Sequence, residues 1–580
     1  MRPRSTMAAL AAALLAVTAC GGDDGDSTTE SGDGDAPATT QSADAGDDAG
    51  DDGAGDDADD DAGDADTGDG ADEAGDDADE PTDGDAGAAA GECTADRTGG
   101  SIVFGVPGQP NALDPISIAG SATTGGLELI QMYDVLLTYD PDTGQYEPHV
   151  AESFGSSDDF TVWTVTLRDG VSFGNGDPLN ADAVVASFER FQENATGAYS
   201  ALATRVAEVT AVDDLTVEFE LAEPWSGFPF TLANTPGMIV NTAVADEAGE
   251  AFGTDPAGAG VGPYEVTRYA SGEEVVLTAK DDYWGGPVCI EEISFVPLPS
   301  DSGRYEAFQT GEFDATWLRD PFVIGEAEND GVSGLVTFQN AQNVLLFNQT
   351  DDAGITTDPR FRRAVSMIID PVAIAERTLE GRGNPTSALI GENSFYYQGL
   401  EGPQVDTDAA AELLDELRDE GWDGSVHLTC AVSSEDTALA IVAQLEAAGV
   451  EVDLELLPDF GVLFATVGLE KNFDVACWGL NIIDDGIWAT LNNSLSSTSP
   501  SNYSGYGDDE MDAALDDLRV AETEEEVLAL LETIQERWIE TVPAIILNAG
   551  PNVTILSDEI QGVQQTGNSL VLFGDAYLEQ

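Results

Sequence analysis

The chain has 580 residues, of which 112 are Asp or Glu and only 19 are Lys or Arg, so its formal net charge is −93 at pH 7. That balance disfavours nucleic acid and anionic lipid headgroups as electrostatic partners, because both would repel it. It favours solubility in salty surroundings, where self-repulsion is screened, and carries no information about fold.

In chain order, Arg2 and Arg4 precede an uncharged run from Met7 to Ala19 that leads into "LLAVTACGGDDGDS". About 13 apolar residues before a polar turn have the layout of a secretory signal and are too few to span a bilayer. Thr18 and Ala19 in front of Cys20 are similar to a lipobox. That similarity implies a signal at residues 1–20, a diacylglyceryl group on Cys20, and a protein tethered to the extracytoplasmic face of the cell membrane.

Residues 21–92 hold 28 acidic side chains and no Lys or Arg, with Gly, Ala, Ser and Thr filling nearly all of the rest. Such a stretch has no apolar surface to bury and repels itself, which predicts a disordered, extended linker. Its coil dimension would be roughly 45 Å if neutral, and charge lengthens it. No window keeps the calcium-loop spacing with its central glycine, so the reading is a solvated spacer.

From Cys93 onward the composition becomes ordinary, with enough residues for two or three packed lobes. "FTVWTVTLRDGVSFGNGDPLNADAVVASFERF" reads as a period-two strand, a glycine turn, and a helix capped near Asn180 or Asp182. "DDLTVEFEL" and "GVGPYEVTRYASGEEVVLTAKDDYWGG" add strands, so this first region is mixed with strands in excess. Beyond about residue 345 helical periodicity appears. In "DAAAELLDELRDEGW", Leu413, Leu414 and Leu417 share a face and Gly421 sits at the stop. "SVHLTCAV", "TALAIVAQLEAAG", "VEVDLELL" and "NFDVACWGL" then alternate strand, helix, strand, strand, as in an open α/β sheet. Ligands bind such sheets beyond the carboxyl ends of the strands, which points to the loop after Cys477.

Four cysteines remain besides Cys20: Cys93, Cys289, Cys430 and Cys477. An even number in an exported chain permits two disulfides, with three connectivities. Without a C-x-x-C pair, and with His149 and His427 lacking a partner motif, no metal and no cofactor is expected.

Several separated motifs in one order carry a resemblance. "NALDP", "EPHVAESFGSSDDFTVWTVTLRDGVSFGNGDPLNADAVVASFER", "GVGPY", "KDDYWGG", "TGEFDA", "FNQTDDAGITTDPRFRRAVSMIID" and "FDVACWGL" together resemble the family 5 extracytoplasmic solute-binding proteins, the oligopeptide, dipeptide and nickel class that serves ABC importers. The resemblance implies an α/β fold of two lobes closing as a hinged clamshell on a solute, then docking on the permease's transmembrane subunits. It places lobe I, with an extra subdomain, at 93–344, lobe II at 345–543, and a return to lobe I at 544–580. The crossings are expected near Val344 to Asn348 and Pro543 to Asn548. A monomer that captures a peptide-like solute is implied, with an oligosaccharide as the alternative.

The same resemblance supplies ligand candidates. After "FDVACWGL" comes "NIIDDGIWATLNN", where a gapless alignment sets Ile483 at the position of the peptide binders' ammonium-binding aspartate, and Asp484 one place later. Asn481, Asp484 and Asp485 are therefore candidates, together with the flat rings of Trp225, Trp317, Trp478 and Trp488. Arg319, beside Trp317, has a fork of donors for a ligand carboxylate. Cys430 and Cys477 fall on strands expected to be neighbours, and Cys93 and Cys289 both in the first lobe, which implies the pairs Cys93–Cys289 and Cys430–Cys477. No G-x-S-x-G or H-E-x-x-H motif is present, so the expectation is a receptor and not an enzyme, with a carboxylate-based secreted hydrolase or a surface sensor or adhesion protein as alternatives of another class.

Overall fold

Local elements follow from capping and alternation. Asn180, with extended backbone, accepts from the Ala183 amide and starts helix Ala181–Asn194; Asp406 does the same for helix Thr407–Asp419 by accepting from Ala409. In the second helix Leu414 and Leu417 are buried while Leu413 is half-buried, and Gly421 takes the positive φ of 112° just past its end. Strand Val162–Leu167 alternates, burying Trp163, Val165 and Leu167. It lies in a four-stranded antiparallel sheet with Ala151–Ser156, Thr216–Leu221 and Val206–Ala211. This computed structural model describes residues 93–94, 97–117, 121–123, 125–196, 199–351 and 353–579. The signal at 1–20, Cys20 and the acidic linker at 21–92 lie outside the described residues.

A sheet of 12 strands organises the molecule. In chain order they are β1 (Ser101–Val106), β2 (Tyr264–Ala270), β3 (Glu274–Ala279), β4 (Glu292–Pro297), β5 (Ala315–Leu318), β6 (Gly334–Phe347), β7 (Asn384–Pro385), β8 (Ser425–Ala431), β9 (Glu451–Leu457), β10 (Val475–Trp478), β11 (Ile482–Ile483) and β12 (Ala544–Leu556). Their spatial order is β9–β8–β10–β6–β12–β5–β1–β4–β3–β2, with β7 added to β12 and β11 to β6. Two α/β lobes share this sheet. β6 and β12 run antiparallel to each other through both of them, because β12 pairs with β5 at one end while β6 pairs with β10 at the other. Their register shifts between Gln339 and Asn343, where Ala341 takes a φ of 50°. In the second lobe β8 runs parallel to both β9 and β10, and helix Glu435–Ala447 makes the crossover between β8 and β9.

The "GVGPY" motif has a packing reason. A Cβ on Gly260 would collide with the carbonyl oxygen of Met132, and one on Gly262 with that of Gln131, so only glycine lets this loop close on helix Gly126–Tyr133. Two disulfides join Cys93 to Cys289 and Cys430 to Cys477, with Cα separations of 5.7 and 4.8 Å. The first closes a sequence separation of 196 residues. Replacing both Cys93 and Cys289 by serine is expected to cost roughly 3–5 kcal/mol of stability on the chain-entropy account. A urea midpoint unchanged from the native protein would refute that.

Candidate functional site

A cavity of about 1030 Å³ opens at the carboxyl ends of β8 and β10, against the register break of β6 and β12. That volume is at the upper end of the usual range for small-ligand sites, roughly 300–1,000 Å³. Its walls come from distant parts of the chain: the end of β5 (Trp317, Arg319), the middle of β6 (Gln339, Gln342), the 392–395 loop, the 477–485 segment, Asn552 of β12 and the 566–569 turn.

Four buried polar atoms on these walls have no hydrogen-bond partner among the described residues: Trp317 Nε1, Gln342 Nε2, Asn552 Oδ1 and Asp485 Oδ2. Buried polar groups are ordinarily satisfied; Trp317 Nε1, Gln342 Nε2 and Asn552 Oδ1 are left for a ligand to complete, whereas Asp485 Oδ2 is covered by Gly567. Arg319 adds a cation. Its Nη2 donates to Gln339 Oε1 at 3.3 Å, and among the described residues no carboxylate lies within ion-pair distance of it. Burial lowers its pKa, with Asp301 pulling the other way, yet a guanidinium stays charged. Arg168 and Arg362 likewise lack an ion pair among the described residues, but Arg319 is the one of these three that lines the cavity.

The two aspartates of the 482–485 segment behave differently. Asp484 Oδ1 accepts from Ser394 Oγ at 2.7 Å and Asn340 Nδ2 at 3.1 Å, and Oδ2 accepts from the Phe395 amide at 2.7 Å. Burial raises its pKa and these bonds oppose the rise. Asp484 is thus occupied in holding the 391–395 loop, and Asn340 in turn accepts from the Gly391 amide. Asp485 accepts from Tyr146 Oη at 2.7 Å through Oδ1. Burial pushes its pKa up to about 7, opposed by the Tyr146 bond and assisted by the Asp484 charge. Its Oδ2 lies against Gly567, where any Cβ would collide with it.

Of the eight candidates, the structure brings six to the cavity: Trp317, Arg319, Trp478, Asn481, Asp484 and Asp485. It places Trp225 and Trp488 elsewhere, as a correction to the sequence expectation. Their rings pack on each other with centroids 4.9 Å apart, both are buried in the core, and Trp488 Nε1 donates to the Leu515 carbonyl. The reason is that the first turns of helix Ile487–Leu495 are buried all round, with Ile487, Trp488, Ala489, Thr490 and Leu491 all in the interior, so Trp488 enters the core. Residues the sequence did not single out are Gln342, Asn552, Phe460 and Glu392, an exposed carboxylate on the loop that Asp484 holds. The only signal for Glu392 is its nearness to that loop, which is a tertiary fact.

Residues 145–502 match the family described as bacterial extracellular solute-binding proteins, family 5. The chain belongs to this family. Protein XP55 of Streptomyces lividans is 27% identical over 488 residues, covering 80% of this chain and 86% of that protein. The dipeptide-binding protein of Escherichia coli K12 is 24% identical over 493 residues, covering 80% and 91%. Among solved structures, DppA of Helicobacter pylori in complex with the peptide STSA superposes with a TM-score of 0.70 at 22% identity, covering 83% of this chain and 99% of that one. The two-lobed α/β architecture of the family 5 proteins is therefore this chain's fold. Among the described residues no helix is long and apolar enough to cross a membrane.

Proposed function

We propose that this family 5 protein is the extracytoplasmic receptor of an ABC importer, capturing a peptide-like solute between its lobes and delivering it to the permease. The observation that carries this reading is the cavity's pair of opposite charges that lack an ion-pair partner among the described residues, Arg319 on one wall and Glu392 on another. A zwitterionic solute would place its carboxylate on the guanidinium fork and its ammonium on Glu392, because Asp484 is already engaged by three internal bonds and the free oxygen of Asp485 is covered. The relatives named as dipeptide-binding support the solute class. Lobe I takes in 93–344 with 544–580 and lobe II 345–543, and closure bends the register break of β6 and β12. The lipid on Cys20 and the acidic linker tether the receptor to the membrane while letting it range outward.

The test is the shift in Tm of the protein with trialanine and N-acetyl-trialanine. Trialanine is expected to raise Tm by several degrees, and the acetylated form much less. Glu392→Gln should weaken trialanine about tenfold and leave the acetylated peptide's weak binding unaltered. Equal binding of the two peptides would remove Glu392 from the ammonium role. A second reading, an oligosaccharide, is favoured by the neutral amides on the walls: Gln339, Gln342, Asn343, Asn481, Asn552 and Asn568 outnumber the charged groups. Cellotriose or maltotriose raising Tm where peptides do not would establish it.

A further inference from the structure

The stretch after β10 does not stay on its own side of the sheet. β10 pairs with Val344–Phe347, beyond the register break of β6, whereas β11, a few residues further on, pairs with Gln339 and Asn340 before the break. From there the chain packs on first-lobe groups. Asp485 Oδ1 accepts from Tyr146 Oη at 2.7 Å, a Cβ on Gly486 would collide with the Phe230 ring, and Trp488 packs on Trp225 with the Arg205 guanidinium 4.8 Å over its own ring. Downstream, Trp488 Nε1 donates to the Leu515 carbonyl, and Arg362 of helix Pro359–Ile368 donates to the carbonyls of Thr541 and Val542, back in lobe II. Residues 482–491 are thus a loop of lobe II laid on lobe I and held there by noncovalent contacts.

Its fastening point is a buried carboxylate. Asp485 is 4% exposed, and among the described residues no Arg, Lys or His forms an ion pair with it. The titratable groups that face it are Tyr139 and Tyr146 of the hairpin built from strands Leu137–Asp140 and Gln145–Pro148, Tyr199 of the lobe I subdomain, Tyr396 of the 391–397 loop, and Asp484 beside it in the chain. The 566–569 turn, which covers Oδ2 with Gly567, brings nothing ionisable and is tied to the hairpin by the Tyr139 amide donating to Thr566 Oγ1. Burial pushes the Asp485 pKa up to about 7 from 3.8, opposed by the Tyr146 bond and assisted by Asp484. Most of that cover comes from lobe I, so lifting the loop returns the carboxylate to water. Docking therefore takes up a proton: its support is complete below pH 3.8 and is lost as pH rises through 7.

We propose that residues 482–491 form a proton-linked strap between the lobes, docked on lobe I when Asp485 is protonated and loosened when it ionises. The inference rests on the lobe boundaries given above and is independent of the solute. The Trp225–Trp488 contact supplies the apolar part of the docking, which does not titrate, and the Asp485 proton sets how firmly the strap lies. Asn481, Ile483, Asp484 and Asp485 line the cavity, so the state of the strap also sets the shape of that wall.

The test is amide hydrogen exchange of the native protein, Asp485→Asn and Tyr146→Phe at pH 5 to 8, read as protection factors so that the intrinsic pH dependence of exchange drops out. In the native protein the protection of 482–491 is expected to fall by about 30-fold or more between pH 5 and pH 8. Asp485→Asn keeps the shape and cannot ionise, so its strap should hold protection to within about threefold over the same range. Tyr146→Phe removes the bond that favours the charged form, so its fall should continue to higher pH than in the native protein. Comparing variant with native at each pH cancels titrations elsewhere in the molecule. Strap protection that is constant with pH, a fall of equal size in Asp485→Asn, or exchange of 482–491 only together with the core strand Val162–Leu167 would each overturn the proposal. These readouts use no solute, so the strap and the peptide reading fail separately.

Discussion

Arg319→Gln is expected to weaken the binding of a carboxylate-bearing peptide by about 30- to 300-fold, the largest loss from any single cavity substitution. A hydrogen bond to a charged group contributes roughly 1.5–3 kcal/mol, a guanidinium can make two in parallel, and each 1.4 kcal/mol is tenfold in affinity. The half-buried setting of Arg319 raises the worth of the contact over one in open water. The side chain is also braced, because Gln339 accepts from Nη2 and its own Nε2 donates to the Leu480 carbonyl at the start of the 480–485 segment. Arg319→Lys should recover only a small part of the loss, since an ammonium lacks the planar fork. The measurement is calorimetric titration of trialanine and trialanine amide against native and variant proteins. Native protein that binds the two alike would show that no carboxylate is read, and an affinity unchanged in Arg319→Gln would remove the arginine from the site.

The second large effect concerns stability. Glu128, in helix Gly126–Tyr133, is 1% exposed, and neither carboxylate oxygen has a hydrogen-bond partner among the described residues. Burial pushes its pKa up to about 8 from the ordinary 4.5, with the polar backbone of its own residue pulling weakly the other way. The folded state therefore holds a proton that the unfolded chain has released between about pH 4.5 and 8. The stability tied to this proton is complete below pH 4.5 and is lost as pH rises through 8. Glu128→Met, close in volume and without charge, should remove the loss. Its advantage over the native protein is expected to grow by roughly 3–6 kcal/mol between pH 5 and pH 9. Asp485, with its pKa pushed up to about 7, slopes in the same direction, so the comparison must be variant against native at each pH. A difference in unfolding free energy that is constant over the range would mean that Glu128 is not protonated in the native state.

Much of the framework was legible in the chain itself. The caps at Asn180 and Asp406, the alternation around Trp163, and the strand, helix, strand, strand order from β8 to β10 depend on neighbours within a few residues. The ordered motifs led to the family, and placing Cys430 and Cys477 on adjacent strands agreed with the disulfides. The site was legible in outline only. Trp317 and Trp478 reach the cavity while Trp225 and Trp488 stack in the core, and nothing in their local sequence separates them.

Sequence by itself determined the elements, the family and the neighbourhood of the cavity, because propensity, capping and hydrophobic period act over a few residues and survive in a linear reading. Tertiary structure alone decided which carboxylate is free. Asp484 is taken by Asn340, Ser394 and Phe395, residues far off in the chain that meet it only because β11 pairs with β6 beside the register break, whereas Glu392 is presented on the loop those bonds hold. A side chain's availability is set by what the rest of the chain spends on it, and that is a property of the packed molecule.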